Sequence, residues 1–408
     1  MNLSQSRKAV GNATILTSGA AIETVLQFVF LLIAGRQLGP EEFGFYGYLI
    51  SLVTIAAAVV HFGLPVIAVR EIAQRPHDEP QIFGATFWIR SVFSIAFFLA
   101  AVLIAAISPL SGMHRLAVWL VFFYLLCLPF DLSFLFDARQ MSRWDVPGRV
   151  IGRTVVVILL IVLWQVNGTV TVADVALCSS LLMLINVIIA WLVARKLHLP
   201  LPYGKPTGEV RRLLKESAPI TWSNVVTLAY SQSLTIFVKW LSTALQTGFY
   251  ALASRLLLPV LIFKGVIYRV LLPLISEVGK DRAALTTRLE KIFPALALVF
   301  MPTVAIVIPA SQIVIVPLFG ADYAGAVLPF QISISYLFFS GIGSAFGGAL
   351  LASGDARTPT VGLTIGCAVS IGLSMILIPA YGAVGAACTA WIGEFVAIAY
   401  CIPFFLRI

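Results

Sequence analysis

Five basic residues fall within or at the edges of otherwise apolar stretches of the sequence: Arg90, Lys239, Arg255, Lys264 and Arg269. Only Glu23, Asp131 and Glu394 stand in comparable surroundings with the opposite charge. A basic side chain at the centre of a membrane helix costs ~2.5–3.5 kcal/mol on insertion scales, so each needs a partner. Arg255 and Arg269 lie about four turns apart on one stretch and share a helical face, whereas Lys264 points elsewhere unless Pro259 bends the helix. Lys239 and Arg269 lie near the ends of their stretches, where a long side chain can reach the interface. Cations in excess of anions call for an anionic ligand, and a pyrophosphate suits them because guanidinium groups bind phosphate through paired hydrogen bonds. Glu23 and Asp131 are candidates for coupling to an ion or proton, or for plain counter-ions of the bases.

A second pattern is polar without being charged. Asn224, Thr227, Ser231, Thr235 and Lys239 recur at helical spacing and fall on one face. Glu23 and Gln27 form a similar pair four residues apart. Such a stripe inside a membrane should face other helices or water. Helix–helix hydrogen bonding by Ser and Thr explains part of it; a stripe ending in Lys239 and matched by Glu23 points to a water-filled cavity.

The elements that must position these residues follow from composition. The 408 residues are 60% hydrophobic and 11% charged, against about 25% charged in a soluble domain. A water-facing surface cannot be built from this chain. Apolar runs separated by Gly, Pro and charge clusters predict twelve helical spans near 15–34, 45–62, 83–107, 116–135, 150–166, 172–193, 218–240, 249–275, 289–309, 326–347, 361–378 and 383–405. The stretch after Arg7-Lys8 is too long for a secretory leader and contains Glu23, so it reads as a retained first span. The expected architecture is all-α, with an N-terminal lobe of six helices over 1–194 and a C-terminal lobe of six over 218–408. An amphipathic linker over 195–217 joins them. In it Val210, Leu213 and Leu214 alternate with Arg211, Arg212 and Lys215, the pattern of a short helix lying on the membrane surface.

The 27 basic residues are distributed unevenly among the connections. Arg70, Arg75, Arg139, Arg143, Arg149, Arg153, Arg195, Lys196, Lys205, Arg211, Arg212, Lys215, Lys280, Arg282, Arg288, Lys291 and Arg357 fall on one side of a twelve-span chain, with both termini; the other side holds only Arg36 and Arg115. Basic loops stay cytoplasmic during insertion, so the chain is expected in the cytoplasmic (inner) membrane with both ends inside. The net charge of +9 is then a topology signal rather than a nucleic-acid footprint. Cys127, Cys178, Cys367, Cys388 and Cys401 all lie in apolar stretches without a CxxC pair, and the four histidines form no HExxH. They read as packing residues, with no metal site and no cofactor expected.

The halves repeat. Gly44-Phe45-Tyr46 opens the second span and Gly248-Phe249-Tyr250 the eighth. Six spans per half give the halves the same orientation, a transporter plan with the site between them. Gly343 with Gly347, and Gly362 with Gly366, form small-residue pairs suited to close helix packing.

The stretch Ala34 to Ala73, with LGPEEFG, FGLP and VRE, resembles the opening of Wzx-type polysaccharide flippases of the multidrug/oligosaccharidyl-lipid/polysaccharide exporter superfamily. GFYALASRLLLP, VPLFGADYAGA and LIPAYGAVGAA resemble later segments of that family, in order. The resemblance implies a multidrug-exporter-like fold that moves a polyprenyl-diphosphate-linked repeat unit across the membrane by alternating access, for polysaccharide biosynthesis. It further implies a lipid-linked oligosaccharide and membrane lipids as partners, association with polysaccharide assembly machinery, and cavity cations to be sought at Arg90, Arg255, Lys264 and Arg269. Two other readings compete. A drug–cation antiporter of the same fold would favour an acidic cavity. A membrane glycosyltransferase or polymerase would need carboxylates on outer loops, where Glu41, Glu42, Asp174 and Asp322 are the candidates.

Overall fold

The computed structural model describes residues 3–199, 208–277, 282–355 and 357–405. All regular structure among them is helical: α1 (Leu3–His61), α2 (Leu64–Gln74), α3 (Glu79–Ile107), α4 (Gly112–Cys127), α5 (Ser133–Ala138), α6 (Val146–Asn167), α7 (Val172–Lys196), α8 (Glu209–Leu241), α9 (Ala244–Ser276), α10 (Arg282–Phe319), α11 (Val327–Ala352) and α12 (Arg357–Phe405).

Nine stretches among the described residues are long and apolar enough to cross a membrane. Two are too long for one crossing. The first, of 60 residues, would extend about 90 Å as a straight helix, three times the hydrocarbon thickness. It is divided at Gly39, where φ is 70° and ψ is 172°. The following Pro40 disfavours helical geometry at its predecessor, and glycine alone tolerates this φ without strain. The last stretch, of 48 residues, is divided likewise at Gly382, with φ 56°. Counting both as pairs, and adding α8, whose polar stripe lowers its hydropathy, recovers twelve crossings.

Contacts divide the chain into two compact units, Met1–Leu38 with Leu49–Gln232, and Gly39–Tyr48 with Ser233–Ile408. The three boundaries, at 38/39, 48/49 and 232/233, fall inside helices α1 and α8. In the first unit, Leu64, Ile67 and Ile72 of α2 pack with Ile82 and Phe83 of α3, Phe134 to Phe136 of α5, Ala190 and Ala194 of α7, and Leu213 of α8. Leu213 belongs to the stretch expected to lie as a separate helix on the membrane surface, and that expectation is corrected. Residues 209–217 instead form the first turns of α8, continuous through Pro219. Leu213 is fully buried while Arg211 and Lys215 are exposed; the apolar stripe has found the apolar face of α2 instead of lipid. Residues 200–207 of the expected linker lie outside the described residues.

The second unit builds its core from Leu257 and Ile275 of α9, Leu289, Leu296 and Phe300 of α10, and Ile334, Leu337 and Ala349 of α11. The two arms of α12 pack closely where Gly362 and Gly366 stand: a Cβ there would lie 2.9 Å from the Ala397 carbonyl and 2.4 Å from that of Gly393. Gly343 abuts Ile398, whereas nothing lies against Gly347. Four of the five cysteines are buried and all five are free thiols.

Candidate functional site

Two helices of the first unit break at nearly the same place. Helix α1 ends at His61, and Phe62 and Gly63 take φ of 47° and 62° before α2 resumes with Pro65 in its first turn. Helix α4 ends at Cys127, a 3-10 turn covers Leu128–Phe130, and Asp131 is extended before α5 begins. A broken helix leaves carbonyls without intrahelical donors, which apolar surroundings cannot supply. Side chains supply them. Trp191 Nε1 donates to the Phe130 carbonyl at 2.8 Å, and Arg90 Nη1 points at the Asp131 carbonyl at 3.4 Å.

Arg90 also forms an ion pair with the Asp131 carboxylate at 3.5 Å, and its Nη2 lies 3.3 Å from His61 Nδ1. A guanidinium can only donate, so Nδ1 accepts and the proton of the neutral imidazole sits on Nε2. Ser133 completes the cluster: its main-chain N–H donates to Oδ1 of Asp131 at 3.0 Å and its hydroxyl to Oδ2 at 2.8 Å. Opposite charges about 4 Å apart attract by roughly 4 kcal/mol at an effective dielectric of 20, which offsets much of the ~2.5–3.5 kcal/mol that each of the two side chains costs on insertion. The hydrogen bonds of Ser133 to Asp131 and of Arg90 to His61 add to that compensation.

Arg90 is fully buried and does not line the cavity beside it. Its expected role as a cavity cation gives way to a structural one, since Asp131 and the α4 break consume its hydrogen bonds. The cavity itself has a volume of about 570 Å³ and is lined by His61, Gly63, Asp131, Ser133, Asn224 and Thr227, among others. Two members of the polar stripe, Asn224 and Thr227, are among its lining residues. Of the rest, Ser231 is exposed and donates to the Leu228 carbonyl, and Thr235 is buried. Glu23 lies 3.8 Å from Arg149, which also pairs with Asp145 at 3.2 Å, and Gln27 is half-buried. His61 was missed in the sequence; a histidine directly before Phe-Gly-Leu-Pro, a helix-breaking run, was the available signal.

The cations of the second unit are held differently. Lys239 Nζ lies 5.7 Å from the centroid of the Phe45 ring, and the Arg255 guanidinium 5.2 Å from that of Tyr46. Both rings belong to the Gly44-Phe45-Tyr46 motif, and the two copies of that motif pack against each other. A Cβ on Gly44 would lie 2.5 Å from the main-chain nitrogen of Gly248, and one on Gly248 would lie 1.9 Å from the Pro40 carbonyl oxygen. Cation–π attraction reaches about 2 kcal/mol at a desolvated site, less than the ~2.5–3.5 kcal/mol insertion cost. Neither cation has an ion-pair partner among the described residues. Their capacity to bind an anion is unspent.

Lys264 donates to the Ser340 hydroxyl at 2.6 Å and is attracted electrostatically by Glu394. It lines a crevice with Tyr268, Gly341 and Ser344 of about 10 Å³, barely room for one water. Helix α9 runs unbroken past Pro259, so Arg255 meets Tyr46 and Lys264 meets α11 on different faces. The side chain of Arg269 lies outside the described residues. Within the second unit, the described side chains of Arg255 and Lys264 therefore do not meet.

The described residues thus form helices only, with a polar cavity at a broken helix in one unit and cations over aromatic rings in the other. Several solved structures share this fold. The lipid II flippase MurJ in an inward closed conformation aligns over 98% of this chain and 88% of its own, with a TM-score of 0.74 at 15% identity. An inward-facing multidrug resistance transporter of the MATE family, MOP superfamily, aligns over 95% and 97%, with a TM-score of 0.76 at 12% identity. A MOP-superfamily transporter from Pyrococcus furiosus, described as having a binding pocket of reversed polarity, aligns over 97% and 94% with a TM-score of 0.58 at 14% identity. At such identities these likenesses establish the exporter fold. None of the curated protein sequences matches the chain. Residues 9–279 match the family described as polysaccharide biosynthesis protein, and the chain belongs to that family.

Proposed function

We propose that this protein moves a polyprenyl-diphosphate-linked oligosaccharide repeat unit across the cytoplasmic membrane by alternating access, for polysaccharide assembly. The observation that carries the reading is the pair of cations, Arg255 and Lys239, seated on Tyr46 and Phe45 without a carboxylate partner, in a chain of a polysaccharide biosynthesis family. A diphosphate supplies the missing charge, and Arg255 engages it bidentately. Lys264 and Arg269 add positive potential along α9, and Asp131 and Glu23 act as counter-ions or as the coupling carboxylates. Translocation needs no covalent chemistry, so no enzymatic role is assigned. The carrier lipid, other membrane lipids and the polysaccharide assembly machinery are the partners this reading requires.

One observation favours a drug–cation antiporter: a carboxylate, Asp131, lines the cavity of the first unit. Its charge is already balanced by Arg90, which leaves little net attraction for a cationic drug. The two readings separate in vesicles. Purified protein reconstituted with a fluorescent lipid-linked oligosaccharide should move it into the quencher-protected leaflet. Arg255→Ala should lower that rate roughly tenfold, the loss of a ~1.4 kcal/mol interaction, and Lys239→Ala should lower it by less, both at unchanged protein level. Full rate in both variants and in the double variant, or uptake of a cationic dye instead of the glycolipid, overturns the proposal.

A further inference from the structure

Beside the α4 break lies a second depression, of about 430 Å³, formed by Phe83, Phe87, Phe130, Ile188, Trp191 and Arg195 with two further aliphatic side chains of α7. Its walls are apolar except at one end, where the exposed Arg195 stands in the last turn of α7. Arg195 has no ion-pair partner among the described residues. The aromatic wall is fixed: Phe87 meets Phe130 edge-on at 5.3 Å, Phe83 stacks on Phe134 at 5.5 Å, and Trp191 is tethered to the Phe130 carbonyl. Around it the helices present large apolar side chains outward, with Trp88 48%, Ile188 49% and Leu192 59% exposed. The depression therefore opens on the face that must meet hydrocarbon.

We infer that this pocket is a binding site for an anionic phospholipid, whose acyl chain lies along the aromatic wall and whose phosphate meets Arg195. Basic pockets between membrane helices on the cytoplasmic side select anionic headgroups, and the basic end of α7 is the end expected to face the cytoplasm. The volume falls within the ~300–1,000 Å³ of ordinary ligand pockets. Consecutive residues of one break line the two sites: Phe130 the lipid pocket, Asp131 the polar cavity. A lipid chain against Phe130 and Trp191 thus supports the turn that holds Asp131 in place, and lipid composition regulates the cavity geometry.

Native mass spectrometry of the full chain in detergent, titrated with phosphatidylglycerol or phosphatidylcholine, tests this. The wild type should retain phosphatidylglycerol several-fold more than phosphatidylcholine. Arg195→Gln should abolish the preference, Arg195→Lys should keep part of it, and the pocket-filling Ile188→Trp should reduce retention of both lipids, all at unchanged melting temperature without lipid. An unchanged preference in Arg195→Gln overturns the proposal. So does displacement of phosphatidylglycerol by an equimolar polyprenyl phosphate, which would assign the pocket to the carrier lipid. Neither outcome depends on whether the protein translocates a glycan.

Discussion

At the scale of single residues, the charges inside the membrane sort by what each already touches. Arg90 is committed to Asp131, His61 and the α4 break, with only Nε left without a partner. Removing one member of such a pair leaves the other charged in a medium that cannot solvate it. Asp131→Ala should therefore destabilise the protein by roughly 3–5 kcal/mol, read as a large drop in melting temperature in detergent. Arg90→Met combined with Asp131→Leu should recover much of the loss, since apolar replacements for both partners of a buried pair are often tolerated. A double variant as unstable as Asp131→Ala would mean that the hydrogen bonds to the break, rather than the charges, dominate. Arg255 and Lys239 lie over rings and have no ion-pair partner among the described residues, so truncating them should spare stability. Lys239→Ala should impair transport less than Arg255→Ala, because an ammonium offers a point charge where the guanidinium offers a fork.

At the scale of elements, the spans were legible in the sequence because hydropathy alone constrains them. The repeat of Gly-Phe-Tyr was legible too, but the packing of its two copies was not: 204 positions separate Gly44 from Gly248, and only the fold shows that neither tolerates a Cβ. The 1.9 Å approach is to backbone, which cannot rotate away. Gly248→Ala should cost several kcal/mol and sharply reduce the folded yield, measured by monodisperse recovery, whereas Gly347→Ala, in open space, should be neutral. Of the two breaks, Phe62-Gly63 stands at the expected end of a span, whereas Leu128–Asp131 falls inside the span expected at 116–135 and was not legible. Phe62-Gly63 and Leu128–Asp131 carry the same Gly and Pro signals as kinks that the chain absorbs within a helix, as α10 does with four prolines. Which signal becomes a break depends on donors from distant residues, Trp191 and Arg90. The ionic cluster joining α2 to α8 was hidden likewise. Glu71 accepts from Arg75 and Arg212 at 2.6 Å each and from Arg70 at 3.0 Å, and Arg70 also reaches Glu216 at 2.6 Å. Glu71 is buried, so Glu71→Gln should leave three arginines crowded around a neutral amide with a single acceptor oxygen. Faster hydrogen exchange across 64–74 and 209–216, with little change in α6, is the expected result.

At the scale of the whole molecule, the contacts constrain which connections share a side of the membrane. Within the second unit, residues 39–48 meet the start of α9 through Gly44 and Gly248, and Phe43 meets Tyr323 edge-on at 6.2 Å. The Ala383 N–H donates to Gln246 at 2.9 Å. The connections near 40, 245, 322 and 382 must then lie on one side. Within the first unit, the Glu71 cluster ties residues 70–78 to 209–216, and Arg139 grips Glu79 at 2.6 Å, so those connections share a side as well. Twelve alternating spans satisfy both sets at once, and the charge asymmetry predicts the cytoplasmic side for the second set. Removing or adding a crossing in the middle of the chain would split at least one set. A variant lacking the five native cysteines, with single cysteines at Ser108, Gly168, Asp322 or Lys196, checks the scheme in intact cells with a membrane-impermeant maleimide. The first three should label from outside and Lys196→Cys only after permeabilisation. Labelling of Asp322→Cys from inside would break the link between 43 and 323 that the fold requires, and with it the count of twelve.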